Sequence, residues 1–337
     1  MKFGFCLPIF AGKGDEHSRT PLVERVDVNQ LKSSILAAEN LDFETLWVAD
    51  HLIMGKDHAI LEGWTTMCWA AGLTERIRIG SIHLSNQLRA PSMSAKIAST
   101  LDVLTNGRLE FFFEMGHRGK KPESEAYGFD FAEDPERLSQ FEEAVDIIRM
   151  MWTEGPSTYE GKHYSIHGAV NHPLPTQRPH PPLWIGTLGT ELSSPIAPNE
   201  QVLEIAAKYA DGWNNTPASP EQCKVMLNAL RRACDRNDRD YGSIRKSIET
   251  QILIAPNRGE VERIKDEISE ANPETYSDTA WKRAEEEFLI GDPYTIADRI
   301  SEYKAIDIDH MQLWFMDMPS ESGMRTFAES VAPRFQS

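Results

Sequence analysis

Short apolar segments alternate with longer amphipathic segments along almost the whole 337-residue chain. The apolar segments have the length of buried strands, and the segments between them carry apolar residues at helical spacing. Continuous apolar strands that alternate with helices are typical of a parallel sheet covered on both faces. This alternation therefore restricts the fold class to α/β, as either a doubly wound sheet or a closed barrel.

The alternation occurs eight times, with predicted strands at 2–9, 45–49, 77–82, 109–113, 183–186, 212–214, 247–254 and 311–315. Eight such units without a linker predict a closed (β/α)8 TIM barrel, as a single domain over residues 1–337, in preference to a doubly wound sheet. The chain is longer than a typical barrel of about 250 residues. Two insertions account for the difference, at about 155–182 after the fourth long helix and at about 271–283 between strands seven and eight.

The charge balance disfavours two classes of partner. The chain has 35 Lys and Arg against 52 Asp and Glu, a net charge of −17, which disfavours nucleic acid and anionic membrane surfaces. The four cysteines form no CxxC motif, and no apolar segment approaches the roughly 18 residues of a membrane span. A short signal-like start lacks a charged region and a cleavage site. We therefore expect a cytoplasmic protein that acts on a small-molecule substrate.

Active sites of TIM barrels lie at the carboxyl ends of the strands, which directs attention to the residues that follow each strand. Asp50 and His51 follow the second predicted strand, and His117 follows the fourth. Histidine titrates near neutral pH, and a neighbouring carboxylate can tune it, so His51 and His117 are candidate acid/base catalysts. The alternative for each is a hydrogen-bonded histidine of the barrel rim.

The segment after the fifth predicted strand, Gly186-Thr187-Leu188-Gly189-Thr190, combines glycines with small hydroxyl side chains. Such a segment exposes backbone N–H groups that can hold a phosphate near a helix N-terminus. Gly186, Thr187 and Gly189 are therefore candidate phosphate contacts, although a tight turn also explains this composition.

A metal site is the main alternative chemistry. Asp50, His51 and His117 lie on predicted loops at one end of the barrel, and they would give a metal-dependent barrel hydrolase. The sequence contains no HExxH motif, and the histidines lie on different loops, so we expect no metal ion.

Several segments, in their order and spacing, resemble the bacterial luciferase-like superfamily of flavin- and deazaflavin-dependent oxidoreductases. They include KFGFCLP at residues 2–8, LWVADH at 46–51, TERIRIG at 74–80 and NGRL at 106–109. QRPHPPLWIG at 177–186 and AAKYADGW at 206–213 continue the match, and Glu123 with Arg137 fits the Glu…Arg pattern of the family.

The resemblance implies a reduced flavin or deazaflavin bound at the carboxyl end of the barrel. The residues that match the family's ring contacts are Asp50, His51, Ser81 and Ile82, with a non-prolyl cis peptide expected between Ser81 and Ile82. Glu123 and Arg137 are implied as further cofactor contacts, the arginine suiting a phosphate. The segment 190–198 departs from the usual glycine-rich phosphate loop of the family.

Two reactions are compatible with the resemblance. With reduced FMN from a separate flavin reductase, the enzyme would be a two-component monooxygenase that oxygenates a small organic substrate, and this is the function that we favour from the sequence. With coenzyme F420, it would transfer hydride instead. A third alternative is a flavin-binding protein without catalysis. Because family members are commonly dimers, we also expect a homodimer.

Overall fold

The computed structural model describes residues 1–13, 19–116, 118–187 and 200–335. Within these ranges, eight parallel strands of the main sheet form the barrel: β1 Lys2–Cys6, β2 Thr45–Val48, β3 Arg78–Ser81, β4 Leu109–Glu114, β5 Leu183–Thr187, β6 Gly212–Asn215, β7 Arg245–Ile254 and β8 His310–Phe315. Each strand pairs with the next along the chain, and β8 pairs with β1. The sheet is therefore closed, which confirms the TIM barrel and excludes the doubly wound alternative.

Helices pack around the strands. Those described are α1 Val28–Asn40, α2 Gly63–Leu73, α3 Pro91–Leu104, α4 Lys121–Ala126, α5 Asp134–Thr153, α6 Glu200–Tyr209, α7 Pro220–Arg236, α8 Arg258–Ala271, α9 Asp278–Glu287, α10 Pro293–Lys304 and α11 Ser322–Ser330. Local caps fix several of their starts. Ser219 and Gln222 form a capping box on α7, and Asp292 accepts the N–H groups of Tyr294 and Thr295 at the start of α10.

The barrel interior is filled by tryptophan rings that fit against glycines. Trp47 of β2 and Trp184 of β5 meet edge to face with ring centroids 6.0 Å apart. A Cβ atom at Gly4 would lie 2.3 Å from Trp47 Nε1, and one at Gly80 would lie 2.4 Å from Trp47 Cζ3. The neighbouring strands therefore need glycine at these positions, because any side chain would occupy the space of the indole.

A buried carboxylate with charged partners lies at the amino-terminal end of the barrel. Glu110 lies 2.5 Å from Arg78 Nε and 2.9 Å from Arg245 Nη2, and it accepts the indole N–H of Trp184 at 2.5 Å. Burial alone would raise the pKa of Glu110, but the charges of Arg245 and Arg78 lower it overall. The carboxylate is therefore ionised and fully paired.

The two predicted insertions are both structured. In the first, Ser157–Glu160 and Ser165–Ala169 pair as an antiparallel hairpin. In the second, the chain forms α9, and a short strand Leu289–Gly291 then pairs with the carboxyl-terminal part of β7. Among the described residues, no helix combines the length and the apolar character that crossing a membrane requires.

Candidate active site

The carboxyl end of the barrel brings together ionisable side chains from distant parts of the sequence. His51 follows β2, His83 follows β3, Glu114 ends β4, and Glu249 lies in the middle of β7. All four belong to segments whose carboxyl ends lie at the same end of the closed sheet.

His51 pairs with Glu123 of α4 rather than with its sequence neighbour Asp50. His51 Nδ1 lies 2.8 Å from Glu123 Oε1, and Glu123 Oε2 accepts the N–H groups of Leu52 at 2.6 Å and Ile53 at 3.1 Å. Burial tends to raise the pKa of Glu123, but the contacts with His51 and Leu52 and the charge of Lys120 lower it overall. An ionised carboxylate only accepts hydrogen bonds, so Nδ1 of His51 carries a proton and Nε2 is the basic nitrogen.

Asp50 has a positioning role in this structure. Its buried carboxylate receives both arms of the Arg89 guanidinium, at 2.8 and 2.9 Å, and the N–H of Ser85 at 3.0 Å. Bidentate pairing with a buried carboxylate fixes orientation as well as charge. Asp50 therefore ties the loop after β2 to the loop after β3, and the tuning of His51 that we expected from it falls to Glu123.

Ser81 and Ile82 lie where β3 ends. The Ser81 hydroxyl donates to the carbonyl of Phe112 in β4, and Ile82 is buried. The expected cis peptide is present one bond later than predicted, between Ile82 and His83. The reason is that the Ile82 N–H still donates to Val48 of β2, so the regular strand pairing continues through Ile82.

The imidazole of His83 lies between two buried carboxylates. His83 Nδ1 lies 3.5 Å from Glu114 Oε2, and His83 Nε2 lies 3.3 Å from Glu249 Oε2. The ring also packs on Phe112, with centroids 4.2 Å apart. Burial lowers the pKa of His83, and the charge of Glu114 opposes that effect only in part.

The second oxygen of each of these two carboxylates contacts a cation. The buried ammonium of Lys120 lies 2.9 Å from Glu114 Oε1 and donates to the Asp50 carbonyl at 2.9 Å. Glu249 Oε1 accepts the indole N–H of Trp314 at 2.8 Å and contacts the guanidinium of Arg19. Burial lowers the pKa of Arg19 to about 10, so Arg19 is still charged at neutral pH.

Three predicted positions lie at or beyond the limits of the described structure. His117 and Gly189 lie outside the described residues, as does the whole segment 188–199, and the structure describes only the backbone of Thr187. Gly186 is described: a Cβ atom there would lie 2.8 Å from Phe112 Cζ, so glycine at this position makes room for a ring of the barrel interior.

Arg137 has protein partners in this structure. Its guanidinium donates to the carbonyl of Ala132 at 2.8 Å and to the carboxylate of Asp134 at 2.5 Å, and it packs over the ring of Phe131. These contacts fix the chain at the start of α5. Its role as a phosphate contact stays a prediction.

Sequence reasoning missed Glu249, Lys120, Arg89 and Arg19. A signal for Glu249 was present, since polar residues occupy the alternate positions Ser247, Glu249 and Gln251 of the seventh strand. Alternate residues of a barrel strand face the interior, so this pattern indicates a polar interior at that height.

The hydrogen-bonding groups at the carboxyl end of the barrel suit a flat heterocycle with polar edges. Buried amide atoms of Asn86 and Gln312 have no hydrogen-bond partner among the described residues, and such atoms match the ring N–H and C=O groups of a flavin or deazaflavin. Ile82 and Trp314 contribute buried apolar surface. Within the described ranges, no three His, Cys, Asp or Glu side chains are grouped as a metal site would require.

A family model described as luciferase-like monooxygenase matches residues 1–310 of this chain. Among curated proteins, the chain is similar to a phthiodiolone/phenolphthiodiolone dimycocerosates ketoreductase of Mycobacterium tuberculosis, with 27% identity over 286 residues, 78% of this chain and 68% of that protein. It is also similar to an F420-dependent glucose-6-phosphate dehydrogenase of Microbacterium testaceum, with 24% identity over 93% of this chain and 95% of that protein.

Solved structures show the same fold. The monooxygenase RslO1 from Streptomyces bottropensis superposes with a TM-score of 0.76 and 21% identity, over all of both chains.

Proposed function

The chain belongs to the luciferase-like monooxygenase family and is an oxidoreductase, and from this premise we propose that it transfers hydride between coenzyme F420 and a small alcohol or carbonyl substrate. The observation that carries the proposal is the density of proton-holding groups at the carboxyl end of the barrel. His51 with Glu123, and His83 with Glu114 and Glu249, lie within one site.

Interconversion of an alcohol and a carbonyl moves one hydride and one proton. The bound deazaflavin would supply or accept the hydride. The proton is the task of the protein, and the basic Nε2 of His51 is suited to take it from a substrate hydroxyl or return it to a carbonyl oxygen.

Glu123 supports that proton transfer in two ways. It holds the His51 ring in one orientation through the 2.8 Å contact, and its negative charge stabilises the imidazolium that forms when Nε2 takes a proton. The N–H groups of Leu52 and Ile53 in turn fix Glu123, so the backbone after β2 and the carboxylate of α4 hold each other in place.

The curated relatives support the same reaction class. One is named as a ketoreductase and another as an F420-dependent dehydrogenase. Both names describe interconversion of alcohol and carbonyl or related groups, for which a charged site that handles protons is suitable.

A monooxygenase that uses reduced FMN is the second candidate, and the description of the matching family model favours it. In that case a separate flavin reductase would be the partner, and His51 would serve as proton donor. Oxygen chemistry needs an active site that excludes water. The many charged groups here suit hydride transfer better, which reverses the order that we favoured from the sequence.

Equilibrium titration of the protein with F420, FMN and reduced FMN, followed by fluorescence or calorimetry, tests the proposal. We expect F420 to bind and to be reduced anaerobically when alcohols are added. Binding of reduced FMN alone, with substrate-dependent O2 consumption, would establish the second candidate instead. A protein that binds none of these cofactors would contradict both.

A further inference from the structure

Lys120 is almost completely buried, and it lies between the loops that carry the two histidines of the site. Its side chain is only 1% exposed. The ammonium donates to the Asp50 carbonyl at 2.9 Å and to the His83 carbonyl at 3.5 Å, and it lies 2.9 Å from Glu114 Oε1. Lysine is seldom buried to this extent unless it is paired. Lys120 has no task in the proton transfer described above.

The two carbonyl contacts of Lys120 fix the backbone of the site. The Asp50 carbonyl belongs to the peptide that joins Asp50 to His51, and the His83 carbonyl lies in the loop after β3. Through Glu114, the same ammonium is joined to the last residue of β4. One cation therefore connects the ends of three neighbouring strands, β2, β3 and β4, where the two histidines enter the site.

Lys120 and His83 share one carboxylate. The ammonium lies beside Oε1 of Glu114, and Nδ1 of His83 lies 3.5 Å from Oε2 of the same group. A proton on His83 would place a second positive charge next to a carboxylate that already has one, in a buried site where water screens charges weakly. Burial lowers the pKa of His83, the contact with Glu114 raises it in part, and the charges of Lys120 and Arg19 lower it further.

The other charged groups around this cluster are held in pairs of their own, by contacts described above: Arg89 with Asp50, Arg19 with Glu249, and Glu123 with His51. Glu249 also faces the second ring nitrogen of His83, at 3.3 Å. Its attraction for a proton on His83 is opposed by Arg19, which contacts its other oxygen. Removal of Lys120 therefore changes the charge next to His83 and leaves these three pairs in place.

We propose that Lys120 is a positioning residue of the active site: its ammonium holds the loops that carry His51 and His83 against the end of β4, and its charge opposes protonation of His83. The site then contains two imidazoles, of which one, His51, takes the proton that accompanies hydride transfer. This division of roles rests on the proposed function. The effect of Lys120 on the charge of His83 does not.

The test measures the protonation of individual histidines in the ligand-free protein, by NMR with 15N-labelled histidine. The signals of His83 and His51 are assigned by their loss in His83→Gln and His51→Asn. In the parent protein we expect His83 to be neutral at pH 7. In Lys120→Met, which removes the charge and keeps most of the length of the side chain, we expect the midpoint of the His83 titration to rise by about one pH unit.

Two further variants separate charge from packing. Lys121→Met removes the same charge from the next residue, whose side chain is 46% exposed, and should leave the His83 titration as in the parent. Lys120→Arg retains the positive charge and should keep His83 neutral at pH 7. A merely structural role of Lys120 would lower the thermal stability of Lys120→Met and leave the His83 titration unchanged.

An unchanged His83 titration in folded Lys120→Met, an equal rise in Lys121→Met, or a protonated His83 at pH 7 in the parent would overturn the proposal. Thermal melts establish which variants are folded. If Lys120→Met is not, Lys120→Gln replaces it, and the state of His83 in the parent is measured in either case. Because no cofactor is present in this experiment, its failure is distinguishable from a failure of the F420 assignment.

Discussion

The two ends of the barrel bury glutamates in contrasting ways. At the amino-terminal end, Glu110 has contacts of 2.5 to 2.9 Å with Arg78, Arg245 and Trp184. At the carboxyl end, Glu114 and Glu249 leave one oxygen each facing His83 at 3.5 and 3.3 Å. A carboxylate held by two arginines supports the fold, whereas a carboxylate that faces a histidine contacts a group that can gain or lose a proton near neutral pH.

The largest effect should come from a substitution at the carboxyl end of the barrel, where the active site lies. Replacing His51 with Asn removes the basic nitrogen, and we expect kcat to fall by about 10²- to 10⁴-fold, the usual contribution of a general base. Steady-state kinetics together with cofactor titration separate this effect from lost binding. An unchanged kcat would show that His51 is a structural residue of the rim.

At the opposite end, the expected loss is in stability. Glu110→Gln leaves Arg78 and Arg245 without their buried carboxylate, and we expect the free energy of unfolding to fall by about 3 kcal/mol. Activity per folded molecule should be unchanged. Denaturant unfolding measures the loss, and a specific decrease in kcat would break the contrast between the two ends.

A pH dependence of stability is expected from Asp317, which follows β8 at the site end. Burial raises the pKa of Asp317 to about 6, against which the hydrogen bond from the Gly323 N–H acts only in part. The folded state therefore binds a proton more tightly than the unfolded state, and this contribution to stability is lost as pH rises from about 4 to 6.

Asp317→Asn should remove that loss. We expect the variant to be more stable than the parent by about 3 kcal/mol at pH 7 and to show little gain at pH 4. Unfolding curves at the two pH values check the sign, and an equal gain at both would exclude titration as the cause.

The smallest effect should come from a carboxylate that caps a helix near the surface. Asp292→Ala removes the cap of α10 and should cost about 1 kcal/mol in stability without changing kcat. Such a result would show that the Asp292 carboxylate contributes to stability and not to catalysis. Thermal unfolding and steady-state kinetics on the same preparation provide the measurement.

The fold was predictable because it depends on periodicity. The predicted bounds of all eight barrel strands agree with the observed bounds to within a few residues. The hydrophobic pattern specifies such elements locally, and their number with parallel connections then restricts the topology.

The partners within the site were much less predictable. His51 was identified, yet its carboxylate is Glu123, 72 positions further along the chain, and not the adjacent Asp50. Lys120 was missed because lysine is seldom buried without a charge partner, and that partner is visible only in three dimensions. Ion pairs across the barrel depend on how far along its strand each residue lies and on whether its side chain points inward. Local sequence patterns do not specify either property.

The short strand Leu289–Gly291 has a consequence for how this enzyme can diversify. It pairs with β7 at Ile252–Ile254, beyond the point where β6 stops pairing at Ile248. On that edge, the part of β7 beyond Glu249 therefore pairs with this short strand, while its other edge pairs with β8 as far as Ile252. Changes in the length of the segment that precedes this strand would act on the end of β7 that follows Glu249 and leave the eight-stranded barrel intact, so the segment is a place where the active-site end of the barrel can vary.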